Sequence, residues 1–256
     1  MSNVTIVIPV QEETELLDGC IKSVEKYTKD YELVIHKDPT VNVAQARQSA
    51  QEKCKTKYIC FLDDDSRMIQ DNWLPNLIAA IETDDKLAVA FAEEQWGDGA
   101  LVQDYQQTKH VDYGPAACML IDIEKTKGVS WNKHIGLCTG WLGGDFEEVE
   151  YTSQLREKEL YCIGVHDTVF KHIDRPSIEE FRKTDRHTTC TIMKHLIKCR
   201  ECSPTPDFFR KMEYVKANPN NDRMLASGKS LKDCFYGVLK DNKITHFPMW
   251  KQWGLV

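Results

Sequence analysis

The 256-residue sequence lacks any apolar run approaching the roughly 20 residues that a membrane-spanning helix requires. Its start, MSNVTIVIPV, has neither the basic opening nor the long hydrophobic stretch of a secretion signal. No membrane span is expected, and the expected compartment is the cytoplasm. Internal repeats and low-complexity tracts are also absent, so the chain reads as globular rather than as a solenoid or a disordered linker. PVQEETE, which follows the first apolar run, contains no glycine, so no Gly-rich phosphate loop lies there. A disulfide framework is missing too. Most of the ten cysteines sit singly inside apolar runs, such as Cys60 in YICFL, Cys118 in AACML and Cys162 in YCIGV, which is the pattern of buried thiols in a reducing compartment.

What is present suffices for a substantial core: 41% of residues are hydrophobic, enough for one large α/β domain with an appendage or for two small domains. The net charge of −7 conceals an asymmetry. Residues 1–170 carry 16 Lys+Arg against 30 Asp+Glu, and residues 171–256 carry 17 against 10. A basic segment on an acidic body suggests an anionic acceptor, a nucleic acid or a membrane surface as partner. A solvated Lys-rich helical face is the other reading.

VTIVIPV (4–10) predicts a buried strand ended by Pro9, and residues 14–27 carry apolar side chains at helical spacing behind Thr14, a suitable N-cap. Strands follow at 31–36, 57–62 and 87–92, alternating with helices at 42–54 and 73–82. This alternation predicts a mostly parallel sheet with helices on its faces. Residues 93–114 read as polar and loop-like, 116–122 as a strand, and 136–146 as a Gly- and Trp-rich loop before a helix near Glu147. Strands near 160–165 and 168–172 close the regular part, and 176–256 reads as mainly helical.

Asp63-Asp64-Asp65 follows the third strand directly. Three adjacent carboxylates repel one another unless cations or hydrogen bonds compensate them. They stand where ligands bind in open α/β sheets, and oxygen-rich sites of this kind suit Mg2+ or Mn2+ shared with a diphosphate. The plain alternative is an Asp-rich turn before a helix capped by Asp71 or Asn72. A dehalogenase-type phosphatase also uses Asp-x-Asp, but after its first strand rather than its third. A nucleotidyltransferase would need the phosphate loop that is lacking.

The stretch IVIPVQEETELLDGCIKSV, with Leu17, Cys20, Ile21 and Ser23, and the stretch AQARQSAQEKCKTKYICFLDDDS, with Arg47 upstream of Asp63, resemble glycosyltransferase family 2, inverting enzymes of the GT-A fold. FEEVEYTSQLREKELYCIGVHDTVFKH resembles the family's acidic pair, its following helix and its terminal histidine, here Glu147-Glu148 and His172. The resemblance spans roughly residues 4–172. It implies a GT-A domain over 1–175, with a nucleotide-sugar half to about residue 95 and an acceptor half from about 96. It further implies a nucleotide-diphosphate sugar donor, a UDP-sugar by preference, contacted by Pro9, Glu12, Asp38, Arg47, Asp63 and Asp64. A Mn2+ or Mg2+ ion would be held by Asp65 and His172 with Asp63, and Glu148 would be the general base beside Glu147, with Glu150 its competitor. The implied acceptor is a hydroxyl of a glycan, a protein or hydroxylated DNA. The pattern departs from the family at Lys37-Asp38-Pro39-Thr40, where the usual first Asp is a lysine, and at Glu12 and Gln48, where asparagines are usual. Taken singly, Arg47 also fits a surface partner of Glu52, and His172 a satisfied strand-end histidine.

The segment 176–256 lies beyond the resemblance. His187-x-x-Cys190 and Cys199-x-x-Cys202 have the spacing of a structural zinc site, with buried free thiols as the alternative. Basic residues interleaved with aromatics there also fit a nucleic-acid-binding module on a degenerate transferase fold.

Overall fold

The computed structural model describes residues 3–10, 12–38, 43–96, 99, 101–111, 113–131 and 147–173. The segment 176–256, with His187, Cys190, Cys199 and Cys202, lies outside the described residues. The chain runs β1 (Val4–Val10), α1 (Glu15–Tyr27), β2 (Glu32–Lys37), α2 (Val43–Lys53), β3 (Tyr58–Leu62), β4 (Ser66–Met68), α3 (Trp73–Ile81), β5 (Leu87–Trp96), β6 (Leu101–Gln103), β7 (Lys109–Val111), β8 (Cys118–Asp122), α4 (Glu147–Glu157) and β9 (Tyr161–His172).

Among the described residues these strands form a nine-stranded sheet in the order β2-β1-β3-β8-β5-β9-β4, with β6 on β5 and β7 on β9. β2, β1 and β3 are parallel, and so are β5 and β9. β8 is antiparallel to both of its neighbours, β3 and β5, so the five main strands all run in one direction with β8 reversed between them. The fold is a mixed, mostly parallel α/β sheet with helices on both faces. One edge therefore collects the carboxyl ends of β1, β3, β5 and β9.

Strand β3 shows why its sequence is apolar throughout. Tyr58, Cys60 and Leu62 join a core with α1 and α3 residues such as Leu17, Cys20 and Leu77, whereas Ile59 and Phe61 join the opposite core with Ala44 of α2 and Tyr151 and Leu155 of α4. Alternate side chains point to opposite faces, and both faces are covered. Thr14 caps α1 as expected, its hydroxyl accepting from Leu17 N–H at 3.3 Å.

The structure refines the expected elements in three places. The polar stretch 93–114 contains the end of β5 and the short strands β6 and β7. The two strands expected near 160–165 and 168–172 are one strand interrupted by a bulge: Phe91 pairs with Gly164 but Glu93 with Val169, so β9 has extra residues there, with Asp167 in the left-handed region at φ 58°. At Gly164 a Cβ would lie 2.6 Å from the Tyr105 ring, so the strand can pass that ring only as glycine. Finally, Asn72 occupies the cap position of α3 at φ 62° but its side chain makes no capping hydrogen bond.

Candidate active site

The Asp63-Asp64-Asp65 turn is fixed by its own backbone. Asp63 N–H donates to Ala117 O at 3.3 Å, Ser66 N–H to Asp63 O at 3.0 Å, and the buried Ser66 hydroxyl to Ala117 O at 3.0 Å. Arg67 Nη1 donates to the carbonyl of Asp64 at 3.2 Å. The turn leads directly into β4, whose Ser66 pairs with His172 of β9, and Ile173 N–H donates to Asp65 O at 3.0 Å. A three-residue strand thus places Asp65 beside His172.

His172 is fully buried, and each of its ring nitrogens faces a carboxylate. Nε2 lies 2.6 Å from Asp65 Oδ1 and Nδ1 lies 2.6 Å from Glu94 Oε1. Trp96 Nε1–H donates to the same Glu94 oxygen at 2.7 Å. Asp63, Asp65 and His172 each offer one ligand atom within 4.8 Å of the others. Two carboxylates and an imidazole fit a divalent ion, and the nitrogen favours Mn2+ over the all-oxygen shell that Mg2+ prefers. Burial, with the charges of Asp65 and Asp63, pushes the Asp64 carboxyl up to about 6.

Asp63 faces a second cluster as well. Arg47 of α2 is buried, and its Nη2 donates to Asp63 Oδ1 at 2.8 Å while Nη1 donates to Glu147 at the start of α4. The guanidinium also lies over the rings of Trp131 and Phe61, 5.3 and 5.8 Å from their centroids. Burial works against the charged form of Arg47, but Glu147, Asp63 and Glu148 more than offset it and raise its pKa. Arg47 is therefore no surface partner of Glu52, which instead accepts from Gln48 Nε2 at 2.7 Å. Glu147 is buried and Glu148 half-buried, both in the first turn of α4, where carboxylates meet the positive end of the helix dipole. Glu150 also lies in α4.

A pillar centred on Trp131 holds α4 in place. The Trp131 ring stacks on Tyr151 at 4.4 Å, and its Nε1–H donates to Gln51 Oε1 at 2.8 Å. Its backbone N–H donates to Gln48 Oε1 at 2.8 Å. The helix bearing Glu147 and Glu148 is thereby packed against the helix bearing Arg47.

The remaining expected donor-site residues lie along the same carboxyl edge. Pro9 pairs with His36 near the ends of β1 and β2, Asp38 N–H donates to Val10 O at 3.1 Å, and Glu12 is exposed just beyond. Sequence reasoning missed Glu94 and the Trp131 pillar. It also missed a second acid and histidine group, Glu93, Asp104 and His166, which is internally paired: Glu93 accepts from Tyr105 N–H, Asp167 N–H and His166 Nδ1 at 2.9 to 3.1 Å. That group clasps the β9 bulge.

Residues 33–143 match the family described as Glycosyl transferase family 2. No curated protein matches the sequence. Among solved structures, S. aureus TarS 1-349 in complex with UDP-GlcNAc is 10% identical with a TM-score of 0.59, the match covering 100% of this chain and 84% of that one. The mannosyltransferase PcManGT from Pyrobaculum calidifontis, in complex with GDP-Man and Mn2+, is 10% identical with a TM-score of 0.57, covering 98% of this chain and 82% of that one. At these identities the likeness shows a shared fold, the GT-A arrangement of sheet and helices. No helix among the described residues is long and apolar enough to cross a membrane.

Proposed function

We propose that this chain, whose residues 33–143 match the glycosyl transferase family 2 model, is an inverting glycosyltransferase. It moves a sugar from a nucleotide-diphosphate donor, a UDP-sugar by preference, to an acceptor hydroxyl. The observation that carries this reading is the junction at Asp63. Its carboxylate belongs to the ligand group with Asp65 and His172 and also pairs with Arg47, which holds Glu147 at the head of α4.

A divalent ion held by Asp65, His172 and Asp63 would supply electrostatic stabilisation for the departing diphosphate. The chain's own residues do the rest. Pro9, Glu12, Asp38 and Asp64 border the edge on which the nucleotide lies, a reading supported by their common position at the ends of β1, β2 and β3. Glu148 takes the proton of the acceptor hydroxyl as that oxygen attacks C1 from the face opposite the diphosphate, which inverts the anomeric centre. Glu147 and Arg47 act through position, tying the base-bearing helix to the Asp63 turn. The nucleic-acid-binding alternative and the zinc site rest on 176–256, outside the described residues, and nothing among the described residues favours them.

The test is a thermal-shift screen of UDP-, GDP- and TDP-sugars with Mn2+, followed by donor hydrolysis. One donor should stabilise the protein, and Asp65→Ala should abolish both the Mn2+-dependent stabilisation and the hydrolysis. No stabilisation by any donor would defeat the reading.

A further inference from the structure

We propose that Glu94 is a positioning residue for the divalent-cation site: it holds the proton of His172 on Nδ1 and fixes the ring so that Nε2 is presented to the ion. This rests on the metal reading above and adds to it a residue outside the ligand group.

A histidine can ligate through Nε2 only if that nitrogen's lone pair is bare, so the ring proton must reside on Nδ1. Glu94 Oε1 lies 2.6 Å from Nδ1, on the far side of the ring from Asp65. With the proton on Nδ1, Glu94 Oε1 is its acceptor, and Nε2 is left to face the ion on the side where Asp65, itself a member of the ligand group, already lies. The Glu94 rotamer is held in turn by Trp96 Nε1–H, which donates to the same Glu94 oxygen at 2.7 Å. The parallel register of β5 and β9 sets this arrangement, with Glu94 opposite Phe170 and Trp96 opposite His172. Its neighbour Glu93 holds the bulge that precedes this stretch of β9, accepting from Asp167 N–H at 3.1 Å. The ring has little freedom to turn otherwise, since it is fully buried with the Phe170 ring 5.9 Å from its own. A carboxylate behind a ligating imidazole fixes its tautomer and plane and raises its basicity.

The experiment uses the full chain and Mn2+ alone, with free Mn2+ counted by electron paramagnetic resonance. Glu94→Gln keeps the shape but replaces the acceptor carboxylate with an amide, and should weaken Mn2+ binding about 10- to 100-fold, the range typical of such outer partners. Trp96→Phe, which removes the indole N–H donor to Glu94, should weaken it less. Circular dichroism of both variants should match the unmodified protein. In parallel, 15N imidazole spectra of the unmodified protein with diamagnetic Mg2+ should show His172 protonated at Nδ1 and bare at Nε2. If the unmodified protein fails to bind Mn2+, the metal reading falls and this inference with it. If it binds and Glu94→Gln stays within twofold, only the role of Glu94 falls. Should that variant not fold, a spectrum with the proton on Nε2 refutes the inference independently.

Discussion

Replacing Arg47 with methionine tests the link between the Asp63 turn and α4 most directly. Methionine keeps the bulk beneath Trp131 and Phe61 but removes the charge. The Arg47 and Glu147 side chains are only 2% and 3% exposed, so a Glu147 carboxylate that has lost the guanidinium cannot rehydrate in place, whereas Asp63, at 28%, can turn towards water. Removing one partner of such a buried pair costs about 3–5 kcal/mol, because the remaining buried charge loses its counter-ion. With an m-value of about 2 kcal/mol/M, the urea midpoint should fall by about 1.5–2.5 M. Glu147→Gln should cost less, about 1–3 kcal/mol, since Arg47 retains Asp63. The double variant Arg47→Met with Glu147→Gln should then be more stable than Arg47→Met alone, with a coupling of at least about 1 kcal/mol. Urea unfolding followed by circular dichroism measures all three. A loss below about 1 kcal/mol for Arg47→Met, or a double variant no better than the single, would refute the claim that a buried ion pair anchors α4.

Glu148→Gln should lower kcat for glycosyl transfer by about 10²- to 10⁴-fold with little change in donor binding, the range for loss of a general base; an unchanged kcat with Glu150→Gln inactive would move the base to Glu150. Trp131→Ala should cost about 3–5 kcal/mol, as buried aromatic truncations do, whereas Trp131→Phe, which keeps the stacking but loses the bond to Gln51, should cost about 1–2 kcal/mol; equal losses from the two would rule out the stacked pillar. The His166 pKa is raised above its usual value of about 6.5, mainly by its hydrogen bond to Glu93. The stability it contributes is therefore complete below the unfolded pKa and is lost as pH rises through the folded one. Melting temperature should decline across that window, and His166→Gln should flatten the decline; an unaltered slope in the variant would exclude His166 as its source.

Much of this architecture was legible because β1, β3 and α1 obey simple periodicities. Each buries both faces or one stripe, and the resulting alternation led to a mostly parallel sheet. Asp63 and Asp65 stood out as adjacent carboxylates directly after an apolar strand, whereas His172 was reached through the family resemblance, since a histidine at a strand end taken singly also fits a plain structural role. Glu94 was not, since it falls in a polar run that looks like a loop. Its strand is held there by pairing with β9 and β6 rather than by hydrophobic side chains. The same blindness hid β4, whose three residues carry no pattern long enough to read. Arg47 was found, but its direction was not: an arginine on a helix usually faces water, and only the fold reveals two acidic partners and two rings enclosing it. Thr14 and Asn72 show the limit from the other side, for the first caps its helix as its chemistry suggests and the second does not.

The two long-range links at the Asp63–Asp65 turn and at the head of α4 also bear on how the chain folds. Asp65 and His172 are separated by 107 residues in the chain, and Arg47 and Glu147 by 100. Contacts of such long range form only after intervening segments have been ordered, because loop-closure entropy opposes them earlier. The β1-α1-β2 and α2-β3 units can collapse locally while Asp63 to Asp65 still lack their partners. On the proposed metal reading, recruitment of the ion should therefore lag behind the gain of secondary structure in a refolding experiment, and nascent chains that end before His172 would expose the acidic turn without the histidine it pairs with.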